Sequence, residues 1–275
     1  MEQLQDRVVF ITGGAQGIGL GMARAFAAEG SKLVLADIDQ AALDQVRTEL
    51  GAAVYQLDVR DRAGWDAVVS DAESSVGPID VLCNNAGVGG GASVSTMTFD
   101  MWDWVLDVNL GGVVNGIQTV TPRMIARGGG HIVNTGSGAG LAPVGTGGFM
   151  YATSKYAVVG LSESMRPDLE RRGIGMSVLC PGPVSTDIFQ HTESNRPDQR
   201  SLTEAQRQNM QRFTDWLRDR GVPPDDVGRM VVAGVKSNAL YIHTDRWVEK
   251  EVRQRADAII AAMPADAGSG GTVTP

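Results

Sequence analysis

RVVFITGGAQGIGLGMARAFAAEG, residues 7–30, sets the architecture. The apolar run Val8 to Ile11, rich in β-branched side chains, predicts a strand, and Ile18, Met22, Ala25 and Phe26 recur at helical spacing after a glycine-rich turn. Gly30 stops that helix as a C-terminal cap. The turn itself, TGGAQGIG from Thr12 to Gly19, lies between strand and helix, where backbone N–H groups and the helix dipole receive a pyrophosphate. Gly13, Gly17 and Gly19 allow close backbone approach to such a group, with Gln16 and Ile18 between them.

Outward from this unit, apolar runs alternate with helix-period segments along the chain. The runs are KLVLAD, AAVYQLD, DVLCNN, GHIVNTG, GMSVLCP and ALYIH. Together with RVVFIT they predict an α/β fold, a Rossmann-like doubly wound parallel sheet of about seven strands with helices on both faces. Residues 1–263 read as a single dinucleotide-binding and catalytic domain, and 264–275 as a flexible tail. Residues 187–225 interrupt the rhythm with a polar stretch, DIFQHTESNRPDQR, and then a helix. In that helix Ser201 and Glu204 have capping-box spacing, and Met210, Phe213, Trp216 and Leu217 share a face. The insertion reads either as a surface helix or, after a strand's carboxyl end, as a lid over a substrate.

Composition excludes several function classes. A formal charge of −8 leaves no basic stripe for nucleic acid. No apolar stretch reaches the length of a membrane span, and the N-terminus lacks a secretion signal, so a cytoplasmic protein is expected. Cys83 and Cys180 each end an apolar run and read as buried thiols, while His131, His191 and His243 are too scattered for a metal site.

Asp37 ends the second strand 18 residues after Gly19, close to the roughly 20 at which a carboxylate meets the adenosine ribose. It would accept both ribose hydroxyls and repel a 2′-phosphate. No Arg or Lys lies in the glycine loop or directly after Asp37, so NAD is the expected cofactor. The loop's Gly-x-x-x-Gly-x-Gly spacing, unlike the ordinary dinucleotide fingerprint, resembles the short-chain dehydrogenase/reductase family, and the resemblance runs from about Asp6 to Pro183. It implies further cofactor contacts at Ile38, at Asp58 and Val59 around the adenine, and at Asn85, Ala86 and Gly87 of the NNAG stretch beside the ribose. It also implies that Pro181, Gly182, Val184 and Thr186 of PGPVST hold the nicotinamide carboxamide.

Tyr151 and Lys155, four apart in YATSK, share a helix face, which places an ammonium near a phenol. A neighbouring cation favours the phenolate, so Tyr151 is expected to fall from the ordinary pKa of about 10 and serve as acid/base. Ser137 matches the family's serine on the substrate oxygen, with Thr135 as the weaker alternative and Gly136 replacing the family's usual second serine. Asn109 in DVNLGG resembles the helix asparagine that holds a water leading from the lysine to solvent. Both Tyr151 and Lys155 also contact the cofactor in the family.

The resemblance implies a small-molecule secondary alcohol or ketone as substrate. Val88, Leu141, Phe149, Ile188 and Phe189 stand where the family lines its pocket, beside Met97, Pro143 and Met150. Their apolar character predicts a bulky, largely apolar substrate, although Met150 and Ile188 read equally well as core. Instead of the family's Val-Asp-Gly-Gly ending the chain has NALYIHTDRWVEKEVRQRADAII. That ending, PRMIARGGGHIV and the inserted segment are similar to bacterial dehydrogenases of lignin-type aryl-ether benzylic alcohols. A homo-oligomer, dimer or tetramer, is expected from the family. The competing readings are an NADP-dependent carbonyl reductase and a catalytically silent NAD-binding regulator. Pro167 is expected to kink the Tyr151 helix or end it early.

Overall fold

The computed structural model describes residues 1–90, 94–143, 148–197 and 204–264, without the side chains of 205, 206 and 209. One parallel sheet holds β1 (Val8–Thr12), β2 (Lys32–Asp37), β3 (Ala53–Gln56), β4 (Ile79–Asn84), β5 (Gly130–Thr135), β6 (Ile174–Cys180) and β7 (Tyr241–His243). Their order is β3-β2-β1-β4-β5-β6-β7, so the winding direction reverses between β1 and β4. That switch point opens a crevice beyond the strands' carboxyl ends. The helices are α1 (Gly17–Ala28), α2 (Gln40–Leu50), α3 (Arg62–Ser75), α4 (Phe99–Leu106), α5 (Gly112–Arg127), α6 (Phe149–Glu170), α7 (Ile188–Ser194), α8 (Glu204–Arg220), α9 (Pro224–Ser237) and α10 (Glu249–Ala261).

Successive strand residues point to opposite faces, and both faces are buried. Val9 and Ile11 join Met22 and Phe26 of α1 and Val227 and Val231 of α9 in one core layer. Val8 and Phe10 join Trp65 of α3, Met124 of α5 and Val158 of α6 in the other. This is why β1 reads as an unbroken apolar run rather than an alternating one. α1 and α9 cross backbone to backbone: a Cβ on Gly21 would lie 2.1 Å from Pro224 O, and one on Gly228 2.1 Å from Gly21 O.

Three expectations meet the structure here. α6 runs through Pro167 and ends three residues later at Glu170, because a proline in the last turn removes little of the hydrogen-bond ladder. The inserted segment does contain helices α7 and α8, while Ser201 of the expected capping box lies outside the described residues. Of the tail, 265–275 lies outside them as well. Among the described residues no helix is long and apolar enough to cross a membrane.

Candidate active site

The crevice at the switch point is floored by the loop after β1. Gly13 and Gly17 hold φ of 59° and 52°, the left-handed region that glycine enters without strain. A Cβ on Gly19 would fall 1.9 Å from Gly13 O, so the turn closes only with glycine there. Thr12 staples the loop to β4: its Oγ1 accepts N–H bonds from Asn85 at 2.9 Å and Ala86 at 3.0 Å. Asn85 returns Nδ2 to Thr12 O at 3.0 Å and Gly13 O at 3.3 Å. Gln16 leaves the start of α1 without a side-chain cap, so the first-turn N–H groups stay available to an anion. An uncapped helix N-terminus behind two left-handed glycines fits a pyrophosphate.

Asp37 bends toward this loop, accepting from Ala15 N at 3.2 Å through one carboxylate oxygen and from Asp39 N at 3.2 Å through the other. Burial raises its pKa above the usual aspartate value, and the backbone donors offset part of that rise. Ile38 beside it is half-exposed, as an adenine wall requires. Asp58 is gripped by Arg60 through Nε at 3.0 Å and Nη2 at 2.6 Å, which lowers its pKa. Arg60 therefore competes with the adenine expected beside Asp58. Val59 turns its carbonyl inward to Trp65 Nε1 and Asn115 Nδ2, both at 2.9 Å.

On the other side of the crevice, α6 presents Tyr151 and Lys155 on one face, with Lys155 Nζ 5.6 Å from the phenol ring centre. Lys155 is buried and donates to Thr135 O at 2.8 Å. Burial pushes its pKa down to about 8. Ser137 begins a short 3-10 turn and uses one lone pair to accept Ala139 N at 3.1 Å, leaving its proton free to donate. Its hydroxyl also meets the Tyr151 phenol. The expected fall of the Tyr151 pKa does not appear in the protein alone. Burial raises it, and the Ser137 hydrogen bond opposes the rise only in part.

Asn109 sits in a π turn, Asp107–Gly111, between α4 and α5. Its Oδ1 accepts Val88 N at 2.8 Å, and Nδ2 donates to Val88 O and Ser154 Oγ, both at 3.0 Å. Both amide protons are therefore engaged within the protein, while Oδ1 keeps a second lone pair beside the turn.

Val88 and Phe149 pack on one apolar cluster with Met101, Trp104, Val105 and Met150. Met150 is fully buried within it. Phe189 of α7 stacks edge-on against Phe213 of α8, which in turn stacks on Trp216. Leu141 packs on Val159, Val178 and Cys180 and borders a groove of about 840 Å³ with Tyr156 and Tyr241. Thr186 lies over the cofactor loop, its methyl 3.2 Å from where a Gly17 Cβ would stand. Val184 pairs with Val222 in an isolated bridge. After Pro181, Gly182 N donates to Thr244 Oγ1 at 3.0 Å, so the chain beyond β7 braces the turn that follows β6.

The family described as short chain dehydrogenase matches residues 7–197. The chain belongs to that family. A "C alpha-dehydrogenase" of Sphingobium sp. strain SYK-6 is 33% identical over 277 residues, which span 96% of this chain and 88% of the relative. The crystal structure of a short chain dehydrogenase/reductase from Burkholderia phymatum, in complex with NAD, is similar with a TM-score of 0.87 at 33% identity, covering 98% and 100% of the two chains. The apo form of LigO from Sphingobium sp. strain SYK-6 has a TM-score of 0.79 at 36% identity, covering 96% and 91%.

Several residues that shape the site of this short-chain dehydrogenase escaped the sequence reading. Thr12 was quoted only as part of a motif, although its hydroxyl joins the two loops of the crevice. Ser154, between Tyr151 and Lys155, ties Asn109 to α6 and donates to Tyr151 O at 2.7 Å. Thr192 and Thr244 carried no signal at all, because their partners, Gly89 and Gly182, are distant in sequence.

Proposed function

We propose that this dehydrogenase moves a hydride between NAD and a bulky, largely apolar secondary alcohol or ketone, an aryl or benzylic alcohol foremost, with Tyr151 as acid/base. The convergence of Ser137, Tyr151 and Lys155 beside the apolar cluster of Val88 and Phe149 carries the reading. When bound, the nicotinamide supplies the hydride acceptor in oxidation and the donor in reduction. Ser137 donates its free proton to the alcohol oxygen and holds it, and Tyr151 takes the hydroxyl proton as the carbinol C–H bond breaks. Lys155, held by Thr135 O, stabilises the phenolate from which Tyr151 starts, and once the phenol has formed a water held at the Asn109 turn carries its proton outward.

Asp37 supports NAD over NADP, since a carboxylate at the ribose repels a 2′-phosphate and the loop offers no guanidinium to receive one. The NAD complex of the Burkholderia relative supports the same choice, and the likeness to the C alpha-dehydrogenase favours an aryl carbinol. Helices α7 and α8 serve as the substrate lid in this reading. A homo-oligomer in the cytoplasm belongs to it too, in keeping with two buried free thiols.

The test is incubation with NAD or NADP and a panel of aryl, alicyclic and steroid secondary alcohols, following reduced nicotinamide by absorbance. Turnover with NAD and an aryl carbinol is expected, and a preference for NADP overturns the cofactor assignment. Tyr151→Phe is expected to cost about 10²–10⁴-fold in turnover while NAD still binds. Undiminished turnover in that variant removes Tyr151 from its role.

A further inference from the structure

Gly87, Val88, Gly89 and Gly90 follow β4, and each touches a different part of the machinery. A Cβ on Gly87 would lie 3.2 Å from Asn109 Oδ1 and 3.5 Å from Lys155 Nζ. Val88 has both main-chain polar groups held by Asn109, at 2.8 and 3.0 Å. Gly89 donates its N–H to Thr192 Oγ1 of α7 at 2.7 Å, and a Cβ there would be 3.6 Å from the Phe189 ring. A Cβ on Gly90 would be 3.4 Å from Tyr151 N. The strip lacks side chains at three of its four positions, which lets lid, asparagine, lysine and tyrosine close on it from different sides.

The lid helix is tied at its other end as well. Asp187, just before α7, accepts two bonds from Arg218 of α8, at 2.7 and 3.2 Å. Thr186 leans on Gly17 of the cofactor loop. α7 therefore spans from the cofactor side of the crevice to the catalytic strip, and Thr192, nearly buried, is its polar contact there.

We infer that Thr192 is a positioning residue: its hydroxyl seats the lid on Gly89 and thereby sets the placement of Val88, and through Val88 of Asn109, against the alcohol. The inference rests on the dehydrogenase reading above. Gly89 N–H is a donor that must find an acceptor whether the lid is seated or raised. Thr192 supplies one in the seated state and water replaces it in the raised state, so the fastening closes the site without locking it, because a hydrogen bond exchanged for water is worth little net. Phe189, on the same helix, brings an aromatic face to the strip in the same movement, which couples lid seating to recognition of an apolar substrate.

The experiment compares Thr192→Val, nearly isosteric without the hydroxyl, with Thr192→Ser, which keeps it, in the full chain. Thr192→Ala gives a second hydroxyl-free variant if the added methyl crowds Gly89. Steady-state kinetics with NAD and an aryl secondary alcohol are read beside hydrogen exchange of the 87–90 amides. Thr192→Val is expected to lower kcat/KM for the alcohol about tenfold, with KM carrying most of the change, while NAD affinity stays within about twofold. Exchange at Gly89 should quicken by about the same factor. Thr192→Ser should restore both. Wild-type kinetics and exchange in Thr192→Val overturn the proposal, and so does a serine variant that behaves like valine. If the wild-type chain oxidises no alcohol, the dehydrogenase reading falls, whereas the exchange arm still decides the fastening: unchanged exchange at Gly89 overturns it.

Discussion

Asp37 joins cofactor choice to pH through one carboxylate. Burial lifts its pKa above the ordinary 3.8, so it takes up its proton at a higher pH than an exposed aspartate. Only the ionised form accepts bonds from both ribose hydroxyls, and NAD affinity should therefore weaken on acidification earlier than a normal carboxylate dictates. Titration calorimetry across acid pH checks this, and Asp37→Asn should flatten the acid limb while narrowing the preference for NAD over NADP. Stability runs the other way, because a raised folded pKa favours the fold most when the group is protonated and withdraws that contribution as pH rises through it. Lys155 has the opposite shift. With a folded pKa near 8 against 10.5 for the free side chain, its buried ammonium costs stability below about 8, and the cost is relieved as pH rises toward 10.5. Tyr151 must lose its proton to accept one from the alcohol, and burial holds its pKa up. Alcohol oxidation should thus quicken from neutral to alkaline pH and ketone reduction should slow, which initial rates in both directions will reveal. An oxidation rate that falls between neutral pH and about 8, where the Lys155 ammonium is still present, contradicts Tyr151 as base.

At the scale of elements, glycines decide how closely helices meet. The α1–α9 crossing puts Gly21 and Gly228 against opposing backbone, and nothing larger fits without parting the helices. Gly228→Val should cost about 1–3 kcal/mol by overpacking, and more if α9 cannot shift. For a chain of this size that lowers the melting temperature by roughly 2–10 °C. Calorimetry with no measurable loss would mean that α9 moves aside freely. Asn109 is settled at this scale too. The family resemblance implies a water there, and in the fold the π turn places its side chain on the Val88 backbone and on Ser154. The asparagines at the end of β4 divide their work similarly: Asn84, the last residue of the strand, ties the sheet to Asn134 of β5 at 2.9 Å, and Asn85, just after it, ties the glycine-rich loop to that end.

For the whole molecule, the departure at the C-terminus has a visible consequence. The segment after β7 braces Gly182 through Thr244 and packs Val248 against Gly138, next to Ser137. α10 beyond it has no buried residue, and Ile259, Ile260 and Met263 are exposed. An oligomer would cover such side chains, so light scattering is expected to give a multiple of 29.1 kDa, and a monomer mass contradicts the assembly. The sequence by itself determined the order of strands and helices along the chain, the glycine-rich turn after β1 and the pairing of Tyr151 with Lys155, because period, glycine spacing and residues four apart on a helix are local quantities. Tertiary structure alone decided what those residues touch. It gave Lys155 to Thr135 O, Asn109 to Val88, Asp58 to Arg60 and Thr192 to Gly89, and it packed Leu141 on Val159, Val178 and Cys180. Each of these partners, apart from Arg60, is set by how the crossovers return the chain to the sheet's switch point, and chain return is a property of packing that no local pattern carries.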